Sequence, residues 1–271
     1  IGGGGGGGTL TYGLLNPISG SYSSLGPFQR HGAELAIQHL NESDDFEYEI
    51  EIARGDTETG ASTATQAASQ LVEQDGANYI MGAISSSVGL ALNSFAAENE
   101  VIYNPGAAAI PITGASCNEY VFRSETNTAQ IAEGAAVWTL ENLGSDVWFH
   151  IADYAYGQSV LREWRSRMED ADAEFNEVGV SRADLGAQNY ESYISEIQNS
   201  DADVLVVGST GGDFVRFGNQ AASAGLGEDI DIMNTTASFQ SLRAGLGTAG
   251  YGIYSGVRYN ASLTTGWNEQ F

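Results

Sequence analysis

The sequence contains no lysine, so all ten of its basic residues are arginines, and 35 acidic residues bring the formal net charge to −25 at pH 7. Such a chain repels the phosphate backbone, which argues against nucleic-acid binding, and it repels an anionic membrane surface in the same way. A dense acidic surface without lysine is typical of folded proteins from extreme halophiles, because concentrated salt screens the repulsion between like charges. We therefore expect a halophilic protein.

Cysteine and catalytic motifs are also scarce. Cys117 is the single cysteine, which excludes an intramolecular disulfide and a cysteine-rich metal site and leaves the redox compartment open. No apolar run reaches the length that a membrane-spanning helix needs. The sequence lacks GxSxG and HExxH motifs and a Cys–His pair, so we expect no enzyme activity, no metal and no cofactor. Residues 245–250 match GxGxxG, but they follow a helix and indicate a helix C-terminal turn.

The chain does contain a regular alternation of predicted strands and helices, with 42% hydrophobic residues. Strands are predicted at 9–15, 48–53, 79–82, 101–103, 147–151, 175–180, 204–207, 230–233 and 251–259. Helices are predicted at 28–40, 63–73, 128–141, 159–168, 190–197, 213–224 and 240–246. A further helix follows the strand at 79–82 and ends at residue 98. This order predicts an α/β fold with two lobes, each a doubly wound parallel sheet with right-handed crossovers.

The pattern also predicts the domain boundaries. Residues 1–8 are a glycine-rich tether, typical of a mature N-terminus after a removed signal segment. The first α/β lobe spans 9–121 and the second spans 122–252, with Phe122 and Arg123 at the hinge between them. Residues 253–271 form a second crossover back to the first lobe, with a helix beginning near residue 265.

Three serines follow the short strand at 79–82, at the point where a helix begins. In open α/β sheets ligands bind at this edge, because free backbone N–H groups and the positive end of the helix dipole point outward there. Ser85, Ser86 and Ser87 add hydroxyl groups to those amides, so this turn favours a carboxylate or another polar ligand. One of the serines could instead only cap the helix.

Several motifs in order resemble the type I periplasmic-binding-protein family, in its branched-chain amino-acid-binding group of ABC-importer solute receptors. The resemblance covers the chain from Thr9 onwards. It rests on Gly-Leu-Leu-Asn-Pro-Ile-Ser-Gly at 13–20, Gly-Ala-Ile-Ser-Ser-Ser at 82–87, Asn-Pro-Gly-Ala at 104–107, Val-Phe-Arg at 121–123 and Asp-Tyr-Ala-Tyr-Gly at 153–157. It implies two lobes joined by hinge strands that close around a ligand.

The resemblance also implies roles for individual residues on the two lobes. Ser86 matches the family serine that binds a ligand carboxylate, with backbone amides near Ser87 and Ala107. On the first lobe, Leu25 also takes a position where some relatives have an aromatic wall. On the second lobe, Tyr156 matches the tyrosine that closes over the ligand.

Three positions depart from the amino-acid binders of the family. Ala108 stands where the amino-acid binders have a threonine, and Thr210 or Gly211 stands where they have an aromatic residue. Thr236 stands where they have the acid that pairs with the ammonium group of the ligand. An unpaired ammonium group in a closed cleft would cost several kcal/mol. Either Asp153 or Asp213 takes over that role, or the ligand is a neutral or anionic solute such as an amide, a urea-like compound or a carboxylate.

The function implied by the resemblance is that of an extracytoplasmic solute-binding protein of an ABC importer. Its expected partners are a small polar solute and the importer's permease and ATPase subunits, with a lipid anchor at the N-terminus as the only membrane contact. The alternative is a ligand-sensing ectodomain of a signalling receptor with the same two-lobed fold. The family's typical chain is longer, which implies that the crossover at 253–271 is incomplete.

Overall fold

The structure, a computed structural model, describes residues 8–171 and 174–259 together with residues 262 and 264. The first lobe is a parallel sheet in the order β2-β1-β3-β4. Its strands are β1 (Thr9–Asn16), β2 (Glu49–Asp56), β3 (Tyr79–Gly82) and β4 (Ile102–Pro105). The intervening helices are α1 (Gly26–Asn41), α2 (Ala61–Glu73) and α3 (Ser86–Asn99), and a 3-10 turn at Ile110–Thr113 follows β4.

The second lobe is a five-stranded parallel sheet in the order β6-β5-β7-β8-β9. Its strands are β5 (Asp146–Ala152), β6 (Asn176–Ala183), β7 (Val204–Gly208), β8 (Asp231–Asn234) and β9 (Ile253–Tyr254). Its helices are α4 (Thr128–Asn142), α5 (Ala155–Ala171), α6 (Glu191–Gln198), α7 (Gly211–Ser223) and α8 (Gln240–Leu246). The predicted fold class, two parallel-sheet α/β lobes, is confirmed.

Hydrophobic periodicity explains how each lobe forms. Val88, Leu92 and Phe95 recur at helical spacing in α3 and are buried against the first sheet. In the second lobe every residue of β7 is buried, because helices cover both faces of a central parallel strand.

The first crossover is tied to the edge of the first sheet. The N–H of Tyr103 donates to the carbonyl of Tyr120 over 2.8 Å, and the N–H of Phe122 donates to the carbonyl of Tyr103 over 2.9 Å. The guanidinium of Arg123 donates to the carbonyls of Ala107 and Ala109 over 3.2 and 2.8 Å. The proposed boundary between the lobes, at residues 121 and 122, remains a prediction.

Two predicted elements differ most from the structure. The strand predicted at 251–259 was wrong in length, since only Ile253 and Tyr254 pair with β8. Gly252, with φ at +82°, and the irregular backbone after Tyr254 limit that pairing. Helix α5 begins at Ala155 rather than at residue 159. The helix expected near residue 265 lies outside the described residues.

Among the described residues, the helices are all too short or too polar to cross a membrane.

Candidate ligand-binding site

A cavity of about 460 Å³ lies between the two lobes at the carboxyl ends of their strands. Cavities that hold small molecules in proteins commonly measure roughly 300–1,000 Å³. Residues of both lobes line it, together with Glu125 and with residues 258–259 after β9. The described lining residues are Leu25, Phe28, Gln29, Ile84, Gly106, Ala108, Glu125, Tyr154, Tyr156, Thr210, Thr236, Ser238, Phe239, Gln240, Ser241, Arg243, Arg258 and Tyr259. The arrangement is that of a ligand site enclosed between two α/β sheets.

The first-lobe wall comes from the turns that follow β3 and β4. Gly82 has φ at +132°, and a Cβ there would lie 1.9 Å from the carbonyl oxygen of Leu15. Only glycine can end β3 in this way. The next turn carries Ile84 into the cavity wall, and Ile84 also packs against the hydrophobic core of the second lobe. The turn after β4 adds Gly106 and Ala108.

The three serines after β3 have different surroundings. Ser86 is fully buried, and its hydroxyl accepts a 3.2 Å hydrogen bond from the N–H of Ala109, which joins the two strand-end turns. Ser85 occupies the helix-cap position but makes no capping bond. Its Oγ is buried without a hydrogen-bond partner among the described residues. The Ser86 hydroxyl is therefore bonded within the protein, whereas the Ser85 hydroxyl is buried without a partner among the described residues.

The remaining first-lobe candidates lie behind the cavity wall. Ser87 is half-buried in the first turn of α3, and Ala107 is buried with its carbonyl accepting from Arg123. Neither lines the cavity, and Ser85 and Ser86 also lie outside the lining set. Of the first-lobe residues with a predicted place in the site, Ala108 belongs to that set, and so does Leu25 at the position of the aromatic wall.

The second-lobe wall brings together all three residues predicted for it. The Tyr156 hydroxyl shares a 2.7 Å hydrogen bond with Oγ1 of Thr235, and burial raises the pKa of the Tyr156 phenol. Thr236 donates from Oγ1 to Oγ1 of Thr210 over 2.8 Å. Because each of these hydroxyls is already hydrogen-bonded within the second lobe, they present a rigid polar wall to a ligand.

Asn234 holds that wall in place and was not among the predicted site residues. Its amide nitrogen donates to the carbonyls of Val207 and Ser209 over 2.9 Å each. Its Oδ1 accepts from the N–H of Thr236 over 2.8 Å. The side chain therefore fixes the ends of β7 and β8 relative to each other. Only its position after a predicted strand gave a sequence signal.

A first-lobe loop reaches across the cavity mouth into the second lobe. Tyr22 is 1% exposed and packs in the second-lobe core, and its hydroxyl forms a hydrogen bond with the hydroxyl of Tyr154. Gly211 makes room for this ring, since a Cβ there would lie 2.8 Å from it. Burial raises the pKa of both phenols, so both are neutral at physiological pH. The two lobes are therefore in direct contact at this loop.

The cavity contains two arginines and one acid among its described lining residues. Arg258 donates from Nη1 to Oε1 of Glu125 over 3.2 Å, and its guanidinium carbon lies 5.1 Å from the centre of the Phe239 ring. Arg243 lies at the exposed end of the cavity. The sequence carried no motif around Arg258 or Glu125, so these residues were missed.

The two acids considered as partners for an ammonium group do not line the cavity. Asp213 accepts from the N–H of Gly186 over 2.8 Å and pairs with the guanidinium of Arg216. Burial raises the pKa of its carboxyl. Asp153 accepts from the Gln158 amide over 2.6 Å at the surface. Both carboxylates are therefore occupied elsewhere.

Within the described part of the chain, no three His, Cys, Asp or Glu residues form a group that could hold a metal ion. His150 is packed rather than available. Its ring stacks on Phe217 at 4.7 Å between ring centres, and its Nδ1 shares a 2.8 Å hydrogen bond with Oγ of Ser181. Burial lowers the pKa of His150 to about 4.

The model of the periplasmic binding protein family matches residues 9–271. The chain belongs to that family. Its two parallel-sheet lobes are those of a type I periplasmic binding protein.

Relatives of this periplasmic binding protein cover most of its length. It is 24% identical over 200 residues to Leu/Ile/Val-binding protein homolog 3 of Brucella melitensis, which covers 73% of this chain and 54% of the relative. The chain thus spans about half the length of that relative.

Two solved structures are similar to this periplasmic binding protein in fold. One is an ABC-transporter solute binding protein from R. palustris in complex with benzoate, with a TM-score of 0.87, 23% identity and coverage of 96% of this chain and 71% of that one. The other is a branched-chain amino acid transporter substrate binding protein from Streptococcus pneumoniae in complex with isoleucine. Its TM-score is 0.79 at 19% identity, covering 91% of this chain and 70% of that one.

Proposed function

We propose that this protein is an extracytoplasmic solute-binding protein of an ABC importer, which captures a small polar solute in the cavity between its lobes. The candidate ligands are an amino acid and the related carboxylates and amides. The observation that carries the proposal is the cavity of about 460 Å³, whose described lining residues come from both lobes. A ligand enclosed in this way stabilises the closed arrangement because it contacts both lobes only when they meet.

The proposal assigns the polar contacts to two walls. On the first lobe the Ser85 hydroxyl and the backbone around Ala108 would bind the ligand, and Ser86 would hold the two turns together. On the second lobe Tyr156, Thr210 and Thr236 would bind it. The support for Ser85 is its buried hydroxyl without a partner among the described residues, because such a group gains a hydrogen bond when a polar ligand arrives.

Partners and location follow from the same proposal. The permease and ATPase subunits of the importer would receive the solute, and an N-terminal lipid anchor would hold the protein at the cell surface. No chemistry occurs on the ligand. The net charge of −25 with no lysine supports a halophilic source.

The test is a thermal-shift screen in 2–3 M KCl, followed by titration calorimetry of each compound that raises the melting temperature. The panel contains leucine, isoleucine, glutamine, urea, acetamide, benzoate and benzamide. A compound that binds only the folded protein adds RT ln(1 + [L]/Kd) to its stability, about 2.7 kcal/mol at 100 times Kd. We expect at least one compound to bind with a stoichiometry of one. If the melting temperature is unchanged by every compound, and the folded protein also fails to retain a small molecule from a cell extract, the proposal is wrong.

A further inference from the structure

The positive charge in the cavity is unusual for this chain. The protein has ten arginines and no lysine against 35 acids, yet the described lining residues include Arg243 and Arg258 and a single acid, Glu125. A chain that is this poor in cations places two of them at one enclosed site. The local charge is therefore opposite in sign to that of the whole protein, which favours an anionic occupant.

The Nε–H group of Arg258 has no hydrogen-bond acceptor among the described residues. Its Nη1 donates to Glu125, and its guanidinium lies over the Phe239 ring. Its Nε is buried and has no hydrogen-bond partner among the described residues. A buried N–H of a charged group costs free energy until an acceptor reaches it. The planar guanidinium also matches the two oxygens of a carboxylate.

Glu125 is poorly placed to bind an ammonium group. Its Oε1 accepts from Arg258 over 3.2 Å and from the N–H and Oγ1 of Thr126 over 2.8 and 2.7 Å. These three donors hold the carboxylate at the crossover. Since Asp153 and Asp213 lie outside the lining set, Glu125 is the one described lining acid that could meet the ammonium group of a zwitterionic amino acid, and its Oε1 already accepts from Arg258 and Thr126.

Part of the cavity wall suits an apolar body. Leu25, Phe28 and Ile84 line it from the first lobe, and Tyr154 and Phe239 line it from the second. Aromatic and aliphatic walls of this kind favour a flat or branched hydrocarbon group.

From these observations we infer that Arg258 is a specificity-determining residue that binds the charged group of the ligand, and that the ligand is an organic acid with an apolar body and no ammonium group. This inference rests on the proposed function of the cavity as a solute site. It differs from the expectation that the hydroxyls and amides of the first lobe bind the carboxylate, because it places the anion beside Arg258.

The test compares ligands that share one carbon skeleton and differ only in charge. Calorimetry in 2 M KCl measures 4-methylpentanoate, its amide and leucine, and also 3-phenylpropanoate, its amide and phenylalanine, with benzoate and benzamide as the smallest pair. We expect at least one acid to bind about tenfold or more tightly than both its amide and its amino-acid counterpart. Tighter binding of leucine, phenylalanine or any of the amides overturns the inference while the proposed solute-binding function stands. If no probe binds, the inference fails, and the solute-binding function is then decided by the wider thermal-shift panel and by whether the protein retains a small molecule from a cell extract.

Variants of the two crossover residues then locate the anion. We expect R258Q to weaken binding of the acid about tenfold or more, in line with the usual value of a charge-assisted hydrogen bond. R258K keeps the charge without the planar guanidinium, so its loss should be smaller. R54Q, at an exposed arginine outside the cavity, is the matched control and should change the affinity less than threefold. R243Q should lose less affinity than R258Q, and a larger loss in R243Q overturns the assignment.

E125Q separates a binding effect from a folding effect, because it breaks the same ion pair and keeps the cation. We expect E125Q to bind the acid as tightly as the original protein or more tightly, since a like charge beside the anion is removed. A tenfold loss of leucine or phenylalanine binding in E125Q would show that Glu125 holds an ammonium group, and the inference would be wrong. The melting temperature of each variant identifies any that fail to fold.

Discussion

Ser85 and Ser86 are neighbours in the chain, but their hydroxyls have different surroundings. The hydroxyl of Ser86 accepts from the buried N–H of Ala109. That of Ser85 is buried without a partner among the described residues. A hydroxyl that is already bonded inside the protein contributes to stability, whereas an unbonded one is free to bind a ligand.

We predict opposite outcomes for the two alanine variants. Ser86→Ala leaves the Ala109 N–H unsatisfied and should lower the free energy of unfolding by about 1–3 kcal/mol. Ser85→Ala should leave stability within about 0.5 kcal/mol and weaken ligand binding by about 0.5–1.5 kcal/mol. Urea unfolding and calorimetry with a ligand from the screen measure both quantities. The reverse pattern would return the binding role to Ser86.

His150 makes the stability of the folded protein depend on pH. Burial lowers the pKa of this group from 6.5 to about 4 in the folded protein. Between these two values the unfolded chain binds a proton that the folded protein does not, so protonation favours unfolding. The contribution of neutral His150 is complete above pH 6.5 and is lost as the pH falls toward 4.

We therefore predict that His150→Phe flattens the stability profile. The original protein should lose up to about 3 kcal/mol more than the variant between pH 7 and pH 4, since each pKa unit corresponds to about 1.4 kcal/mol. Urea unfolding at a series of pH values gives the comparison, because the carboxylates titrate in both proteins. His39→Gln, at an exposed position, is the control. Parallel profiles for the original protein and His150→Phe would contradict the prediction.

At the scale of the elements, the loop between β1 and α1 belongs to the first lobe but packs against the core of the second lobe. Tyr22 belongs by sequence to the first lobe, yet it is buried in the second-lobe core and bonds to Tyr154. Because this contact joins the two lobes, we expect separation of the lobes to break it, so that it contributes to ligand affinity through the closing equilibrium.

We predict that Tyr22→Phe weakens ligand binding by about 1 kcal/mol, or roughly fivefold, while the ring still packs. Tyr154→Phe should behave similarly, and the double variant should lose less than the sum of the two, because neither hydroxyl is then left unpaired. Calorimetry with one ligand across the four proteins measures the coupling. Tyr48→Phe, at an exposed tyrosine, is the control. Additive losses would show that the hydroxyls act independently.

The elements differ in how far the sequence predicts them. The helical spacing of Val88, Leu92 and Phe95 predicts α3, and the continuous apolar run of β7 predicts a buried strand. The strand predicted at 251–259 was wrong because a run of aromatic and β-branched residues favours extended backbone without specifying a partner. Strand β9 ends where pairing with β8 ends, and that limit is a property of the sheet.

At the scale of the whole molecule, a net charge of −25 opposes compaction of the chain. The described ion pairs are mostly exposed, as in Arg54 with Glu34 and Arg167 with Glu133. Exposed pairs contribute little, about 0–1 kcal/mol each. Stability in dilute buffer is therefore reduced by repulsion that these pairs do not offset.

We predict that the free energy of unfolding rises with KCl by at least about 2 kcal/mol between 0.1 and 2 M, because the Debye length falls from about 10 to about 2 Å. Guanidinium-free thermal unfolding in KCl and in NaCl provides the measurement, and agreement of the two salts indicates screening. A neutral osmolyte such as sucrose, at matched osmolarity, is the control. Stability that is flat in both salts would argue against a halophilic source.

The sequence by itself determined the two parallel-sheet lobes, because hydrophobic periodicity within each short segment decides which elements form and which faces they bury. It also placed Tyr156, Thr210 and Thr236 at strand ends, where parallel topology brings residues distant in the chain to one edge. Only the tertiary structure decided which polar groups are already bonded. The difference between Ser85 and Ser86, and the pairing of Arg258 with Glu125 across 133 residues of chain, depend on contacts between separate elements that no local pattern encodes.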